Sequence, residues 1–444
     1  MKHIVIPEYG RIYRENTPGH EHAKPELIVR LQRFDERFAA RNDGQTVFDW
    51  SRRQYVRANS HVGVVQVPGL TVEILPKIDS RPTDDESGFK KDLAQRNLLY
   101  MLSLTCKVPI EERDIASLSV QKMPLLEALI AIFVERLIGE LERGVDHAYI
   151  RKEENLPYIK GKLLIGRNIV KNAAHKERAF VAYDDFISDT WLNRILKATC
   201  RRLLLLSRTA NVQKRLSEAL ALFDTVTDVM LNKPLFDKVH LTRNNERYRL
   251  LLNFCRLIFN NQSPNAGTGK HETFSLLFAM ERLFEEFIAA FMLKHASDLG
   301  LSKSAIHPQA RGHSKWLLNE HTSDGARGRF ALRPDIIIQD GQATPTMLID
   351  TKWKRLVPED KYNNVSQADI YQLYAYATRY DCPKNVLLYP KVDGVDHRPF
   401  VIPDSKKSVE LNMVSFDRDI KKDKRGLIAE LRMVLGSVIT AMTR

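Results

Sequence analysis

Residues Phe330–Leu356 read FALRPDIIIQDGQATPTMLIDTKWKRL. Two short β-branched or apolar runs, Ile336-Ile337-Ile338 and Met347-Leu348-Ile349, flank a glycine-containing turn. That pattern predicts two strands of one sheet. Asp335 enters the first strand, Asp350 closes the second, and Lys352 follows two residues later. Side chains of an extended chain repeat with period two, so Asp350 and Lys352 share a side. Asp335, on the neighbouring strand, can approach the same point.

Two carboxylates converging at a sheet edge repel unless a cation lies between them. Mg²⁺ suits the place, with Mn²⁺ as an alternative: a hard ion takes oxygen ligands and keeps several waters. A lysine beside it can orient a water or stabilise negative charge on phosphorus. The expected chemistry is metal-dependent phosphodiester hydrolysis.

Working outward, the first 80 residues look β-rich. Val62–Val67 and Leu70–Leu75 surround Pro68-Gly69, a hairpin signal, and Pro76 ends the second strand. Arg81–Ser87 (RPTDDES) reads as a loop. Helical spacing then appears over Leu93–Leu104, Pro124–Leu141, Thr190–Leu206, Val212–Met230 and Asn244–Phe259, with Gly144 a stop and Tyr158–Ile165 a strand-like interruption. Asn261–Gly269 (NQSPNAGTG) is the best linker candidate. Beyond it, Thr273–His295 reads as one amphipathic helix, followed by strands, a helix, a strand and a last helix over Leu427–Met442. The expected architecture is multidomain α+β: a β-rich N-terminal region (1–85), a helical middle domain (86–262) and a C-terminal α/β domain (270–444).

The 444 residues carry 68 Lys plus Arg and 55 Asp plus Glu, a formal charge of +13. Such an excess suits a polyanionic partner, because neutralising phosphates releases counterions. Hydrophobic residues at 43% argue against wholesale disorder. The four cysteines have no metal-site spacing and are too few for a disulfide scaffold, which points to a reducing cytoplasm. The longest apolar run, Ala128–Val134, is far below the roughly 18 residues of a membrane span, so no membrane partner is expected.

The P-D, fourteen residues, D-T-K spacing resembles the PD-(D/E)xK nuclease superfamily. Downstream, Gln372-x-x-x-Tyr376 resembles the third motif of its RecB-like branch. Leu332–Asp335, Ile349–Lys354 and Asp369–Tyr374 look like the McrC family, the nuclease subunit of the McrBC modified-cytosine restriction system. Val72–Ile78, Lys160–Leu163 and Met280–Glu285 resemble further elements of that family, so the likeness spans nearly the whole chain.

This resemblance implies a restriction-endonuclease-like C-terminal core and an antiviral endonuclease that stimulates a partner AAA+ GTPase ring resembling McrB. It implies Asp335 and Asp350 as metal ligands, with the Thr351 carbonyl joining them. Lys352 positions the attacking water, and Gln372 and Tyr376 flank the scissile phosphate. Of Glu281 and Glu285, four apart on one helical face, either one joins the site, Glu285 being preferred, or both are solvated. Arg327, Arg329, Arg333, Lys354, Arg355 and Lys361 cluster in sequence around the site and would hold double-stranded DNA. Trp353 reads as packing, and His307, His313 and His321 receive no chemistry. Two rival classes remain: a non-catalytic DNA-binding activator of an AAA+ ring, and a stand-alone RecB-like repair nuclease. The sequence contains no G-x-x-x-x-G-K-[ST] phosphate loop; Asn265–His271 only approximates one.

Overall fold

The computed structural model describes residues 1–81, 89–105, 108, 110, 114–115, 123–260, 273–322, 325–403 and 405–436. The linker candidate Asn261–Gly269, the sequence Asn265–His271, nearly all of the Arg81–Ser87 loop and the end of the last expected helix lie outside these residues. The architecture is mixed α/β. The chain divides into two units: residues 1–106, 110–125 and 261–444 form one, and 107–109 with 126–260 the other. The serial three-domain reading therefore gives way to an N-terminal region joined with the C-terminal one.

The join is a shared sheet. Its four strands run in the order Lys2–Pro7, Leu70–Leu75, His61–Val67, Phe274–Ala279. The expected hairpin forms, Val67 pairing with Leu70 around Pro68-Gly69, and Gly69 supplies the positive φ of 86° that the tight turn needs. Lys2–Pro7 adds in parallel to Leu70–Leu75, and Phe274–Ala279 adds antiparallel to His61–Val67. That last strand corrects the reading of Thr273–His295 as one helix: the helix is only Met280–Lys294. Both faces of that strand are covered, Phe274, Leu276 and Phe278 on one and Ser275 and Leu277 on the other, so no period-two alternation sets it apart from the apolar run that follows. The N-terminal region also holds a helix, Pro25–Ala39, whose Ile28, Leu31 and Phe34 join the core of Ile4, Ile6, Val65 and Val72.

In the same unit lies a six-stranded sheet, ordered Ile306–Pro308, Ile336–Gln339, Pro345–Thr351, Lys384–Pro390, Ser408–Val414, Arg398–Val401. The pair predicted from sequence is antiparallel, with Ile336 opposite Ile349. Strand Lys384–Pro390 then runs parallel to Pro345–Thr351. Their connection is helix Gln367–Tyr380, started by Ser366, whose hydroxyl accepts from the Asp369 amide. Leu373, Tyr376 and Tyr380 pack on Ile337, Leu348 and Leu387. An exposed hairpin, Lys315–Thr322 with Gly325–Leu332, sits between the first two sheet strands in sequence.

The other unit contains helices Leu125–Leu141, Trp191–Leu206, Ala210–Ala221 and Arg249–Asn260. It is not purely helical. Ala148–Leu156, Ala179–Ile187 and Lys162–Leu163 make a three-stranded sheet. Only two residues of the expected Tyr158–Ile165 strand are extended, and Ile165–Lys171 is a short helix. Strand Ala148–Leu156 (AYIRKEENL) is largely exposed on both faces, so no apolar alternation marks it. The expected Val212–Met230 helix stops at Ala221. Beyond it Thr227 bonds Asp189 through its amide (2.9 Å) and hydroxyl (2.6 Å), a side-chain alternative to helical bonding. Among the described residues no helix is long and apolar enough to cross a membrane.

Candidate active site

Because Ile336 pairs with Ile349, the residues flanking them in sequence, Asp335 and Asp350, end up side by side. Asp350 is buried and Asp335 partly so. One oxygen of Asp335, Oδ2, accepts from the Thr351 amide and hydroxyl, both at 2.7 Å. Thr351 thus acts on the carboxylate through its donors. No described residue donates to the other oxygen of Asp335. Burial, then the charges of Asp350 and Glu285, push the Asp335 carboxyl up to about 7. Burial likewise raises Asp350, although Lys352 opposes the shift.

Lys352 follows the period-two expectation. Its Nζ lies 2.7 Å from Asp350 Oδ2 and 3.7 Å from Asp369 Oδ1, and donates to Gln372 Oε1 at 3.2 Å. Burial lowers its pKa, but the carboxylates outweigh that and keep the ammonium charged. Gln372 passes the order on: its Nε2 donates to the Tyr376 hydroxyl at 2.7 Å, which donates to the Arg333 carbonyl at 3.3 Å. Asp350, Lys352, Gln372 and Tyr376 therefore form one connected row, and the Arg333 carbonyl ties it to the chain entering Asp335. Burial pushes the Tyr376 hydroxyl up to about 12, so it stays protonated and able to donate.

Glu285 is near enough to raise Asp335, and is itself raised by burial and by Glu286 and Asp350, against a hydrogen bond from Gln309. Glu281 is exposed. Among the described residues no three Asp, Glu, His or Cys side chains are grouped closely enough to hold a metal as a set. The donors present are two carboxylates that repel each other, one with a free oxygen. That set fits a hard divalent cation that keeps most of its waters.

The basic residues separate. Arg329 donates Nε to Glu320 at 2.6 Å, so its cation is paired across the exposed hairpin that also carries Arg327. Arg333 is exposed beside the site, and Lys361 lies over the Tyr362 ring. Lys354 and Arg355 line a cleft with Glu8 and Trp353. Trp353 is packing, as expected: it is buried against Phe284 and Phe416, and its Nε1 donates to Glu8 at 2.9 Å. The His307 and His313 rings meet at a tilt of 54°, 4.2 Å between ring centres. Sequence reasoning missed two residues. Asp369 precedes Gln372 by three, one helical turn, so spacing alone could have placed it on the same face. Glu8, more than 300 residues from Trp353, had no local signal.

The model of a family described as "McrBC 5-methylcytosine restriction system component" matches residues 56–390, about three quarters of the chain. A curated relative, the type IV methyl-directed restriction enzyme EcoKMcrBC of Escherichia coli K12, is 22% identical over 320 residues, 68% of this chain and 88% of the relative. The fold resembles a chain in the refined half-complex from a tetradecameric assembly of Thermococcus gammatolerans McrB AAA+ hexamers with bound McrC. There the TM-score is 0.68 at 19% identity, covering 96% of this chain and 99% of that one. A chain of the Thermococcus gammatolerans McrBC complex matches at TM-score 0.55 and 23% identity, covering 66% and 88%. These findings correct the narrower reading from sequence. They name the McrBC system as a whole and assemblies built on McrB AAA+ hexamers. Placement as the McrC nuclease subunit that stimulates a partner's GTPase is accordingly withdrawn.

Proposed function

The chain belongs to the McrBC 5-methylcytosine restriction system component family, and on that premise we propose that its Asp335–Asp350–Lys352 centre is a divalent-cation-dependent phosphodiester-hydrolysing site for double-stranded DNA. The observation that carries this reading is the pair of adjoining carboxylates, both raised by burial and Asp335 further by the Asp350 charge, with a charged lysine 2.7 Å from Asp350. Support also comes from the order helix Met280–Lys294, strands Ile306–Pro308, Ile336–Gln339 and Pro345–Thr351, helix Gln367–Tyr380, strand Lys384–Pro390. With the exposed hairpin of residues 315–332 taken as an insertion, that order is similar to the αβββαβ order of a PD-(D/E)xK core. Nucleotide hydrolysis, by contrast, would need a phosphate loop, and the sequence contains none of the G-x-x-x-x-G-K-[ST] form.

Asp335 and Asp350 would hold Mg²⁺ or Mn²⁺, with the Thr351 carbonyl as a further oxygen donor. Bound there, the ion supplies Lewis acidity toward a phosphodiester oxygen and charge compensation for the two acids. The remaining work falls to the chain. Thr351 fixes the Asp335 carboxylate through two bonds, so its free oxygen has one orientation. Lys352, held by Asp350, Asp369 and Gln372, presents a fixed ammonium that can orient a water or offset charge on phosphorus. Gln372 and Tyr376 position that lysine and line the approach to it. The setting proposed is a McrBC-type assembly with an AAA+ ring, as in the Thermococcus gammatolerans half-complex.

The test is plasmid cleavage by the protein in its native assembly, with Mg²⁺ or Mn²⁺, on methylated and unmethylated DNA. Asp350→Ala should abolish cutting while leaving assembly intact. A variant that still cuts at the parental rate would place the chemistry elsewhere.

A further inference from the structure

Two residues along the chain from Lys352 begins a narrow cleft of about 20 Å³, walled in part by Trp353, whose polar lining is mostly cationic: Lys77, Lys354, Arg355 and Lys391 against Glu8 and Asp79. Four chain segments are pinned together to make it. The Lys77 amide and the Trp353 indole both donate to Glu8 Oε2, at 3.2 and 2.9 Å. Asp393 donates its amide to the Ser80 carbonyl at 2.7 Å and accepts from the Ser80 hydroxyl at 2.8 Å. The cleft is thus built from residues distant in sequence.

Within it, the Arg355 guanidinium is not satisfied internally. Arg355 Nη1 and Nη2 are buried without a hydrogen-bond acceptor. The nearest acid oxygen, Asp79 Oδ1, is 3.7 Å from Nη1, an ion-pair distance too long for a hydrogen bond, and Arg81 also approaches that oxygen at 3.5 Å. Among the described residues no acid lies within ion-pair distance of Lys354 or Lys391, although the Lys391 charge is felt at Glu430. Glu8 adds little negative charge, since burial lifts its carboxyl to about 8. A buried guanidinium lacking acceptors is costly, and a planar fork flanked by ammonium groups matches phosphate oxygens. The cleft has room for about one water-sized group, so a phosphate would seat one oxygen inside and stay at the mouth.

We infer that this cleft is a subsite for a backbone phosphate of the DNA strand whose neighbouring phosphodiester occupies the Asp335–Asp350 site. Lys354 is only two residues from Lys352, roughly 7 Å of chain at most. Phosphates recur every ~3.4 Å of axis along a strand, so one a few nucleotides from the scissile bond reaches the cleft. The subsite holds the strand in register, and the carboxylate site cuts it. The inference rests on the hydrolase reading for its ligand, but its measurement does not.

The experiment is equilibrium binding of a fluorescent DNA duplex to the protein in its native assembly. Ca²⁺ replaces Mg²⁺, and KCl is varied from about 50 to 300 mM. Lys391 is exposed, so Lys391→Ala leaves the fold undisturbed; Arg355→Gln is the second variant. Each should weaken binding about 3- to 10-fold at 100 mM KCl, equally across sequences, and reduce the salt slope by about one. Inorganic phosphate should displace duplex no better than chloride at equal ionic strength. Unchanged slopes in both variants overturn the inference, as does displacement by low-millimolar phosphate, which would assign the cleft to the free ion. Asp350→Ala separates the two readings: if it cuts normally, the hydrolase reading fails, while the salt slopes still decide the subsite.

Discussion

Replacing Asp335 with Asn should make the protein more stable and less able to cut. The folded chain holds the Asp335 proton more tightly than an unfolded chain does, from an ordinary value of 3.8 up to about 7. This contribution to stability is therefore full below about pH 3.8 and is lost as pH rises through 7. At about 1.4 kcal/mol per pH unit, the ionised carboxylate costs up to about 4 kcal/mol at pH 8. Asparagine cannot ionise, and its carbonyl can still accept from the Thr351 amide and hydroxyl. The weaker neutral acceptor gives back about 1 kcal/mol. A net gain near 3 kcal/mol is expected at pH 8, shrinking to nothing near pH 4. Thermal and urea denaturation of both proteins from pH 4 to 8.5 measures it. The metal provides the second arm. At ten times its Kd, Mg²⁺ should stabilise the parent by about 1.4 kcal/mol at pH 8 and the variant hardly at all. A variant no more stable than the parent at pH 8, or one stabilised equally by Mg²⁺, would refute the electrostatic account of the site.

Lys352→Gln should lower the cleavage rate at least 100-fold while changing duplex affinity less than 5-fold, because the ammonium is fixed by Asp350, Asp369 and Gln372; rapid-quench kinetics beside binding titrations check this. Gly63→Ala should destabilise by 3 kcal/mol or more, since a Cβ there would sit 1.9 Å from the Leu276 carbonyl oxygen, at a φ of 134°; calorimetry measures the loss, and retention of the parental melting temperature would contradict the shared sheet. Glu8→Gln should flatten the pH profile of stability between about 4.5 and 8, where burial makes ionising Glu8 increasingly costly as pH rises; parallel profiles in parent and variant would argue against a buried, protonated acid.

Local signals made the site legible. The runs at 336–338 and 347–349 carry β-branched and apolar residues that can only be buried as strands. Once paired, they leave Asp335 and Asp350 no choice but to adjoin. Lys352 follows by period two, and Gln372 and Tyr376 by one helical turn. Where burial was two-sided or absent, periodicity failed. Phe274–Ala279 passed for helix because apolar residues ran on into Met280–Lys294. Ala148–Leu156 went unseen because it is exposed on both faces.

Sequence alone thus determined the chemistry on offer: two acids, a lysine and a Gln-x-x-x-Tyr helix at spacings set by backbone geometry. Tertiary structure decided what depends on distant partners. It carried Phe274–Ala279 to the open edge of the His61–Val67 strand, because unpaired amides and carbonyls there require a partner. It brought Glu8 to Trp353 and Lys77, Lys354, Arg355 and Lys391 to one cleft. Composition shows the +13 charge, but not that four of its cations meet in one cleft. Charge is a property of the chain, but a field strong enough to seat a phosphate needs cations converging from separate segments with their counter-ions held off.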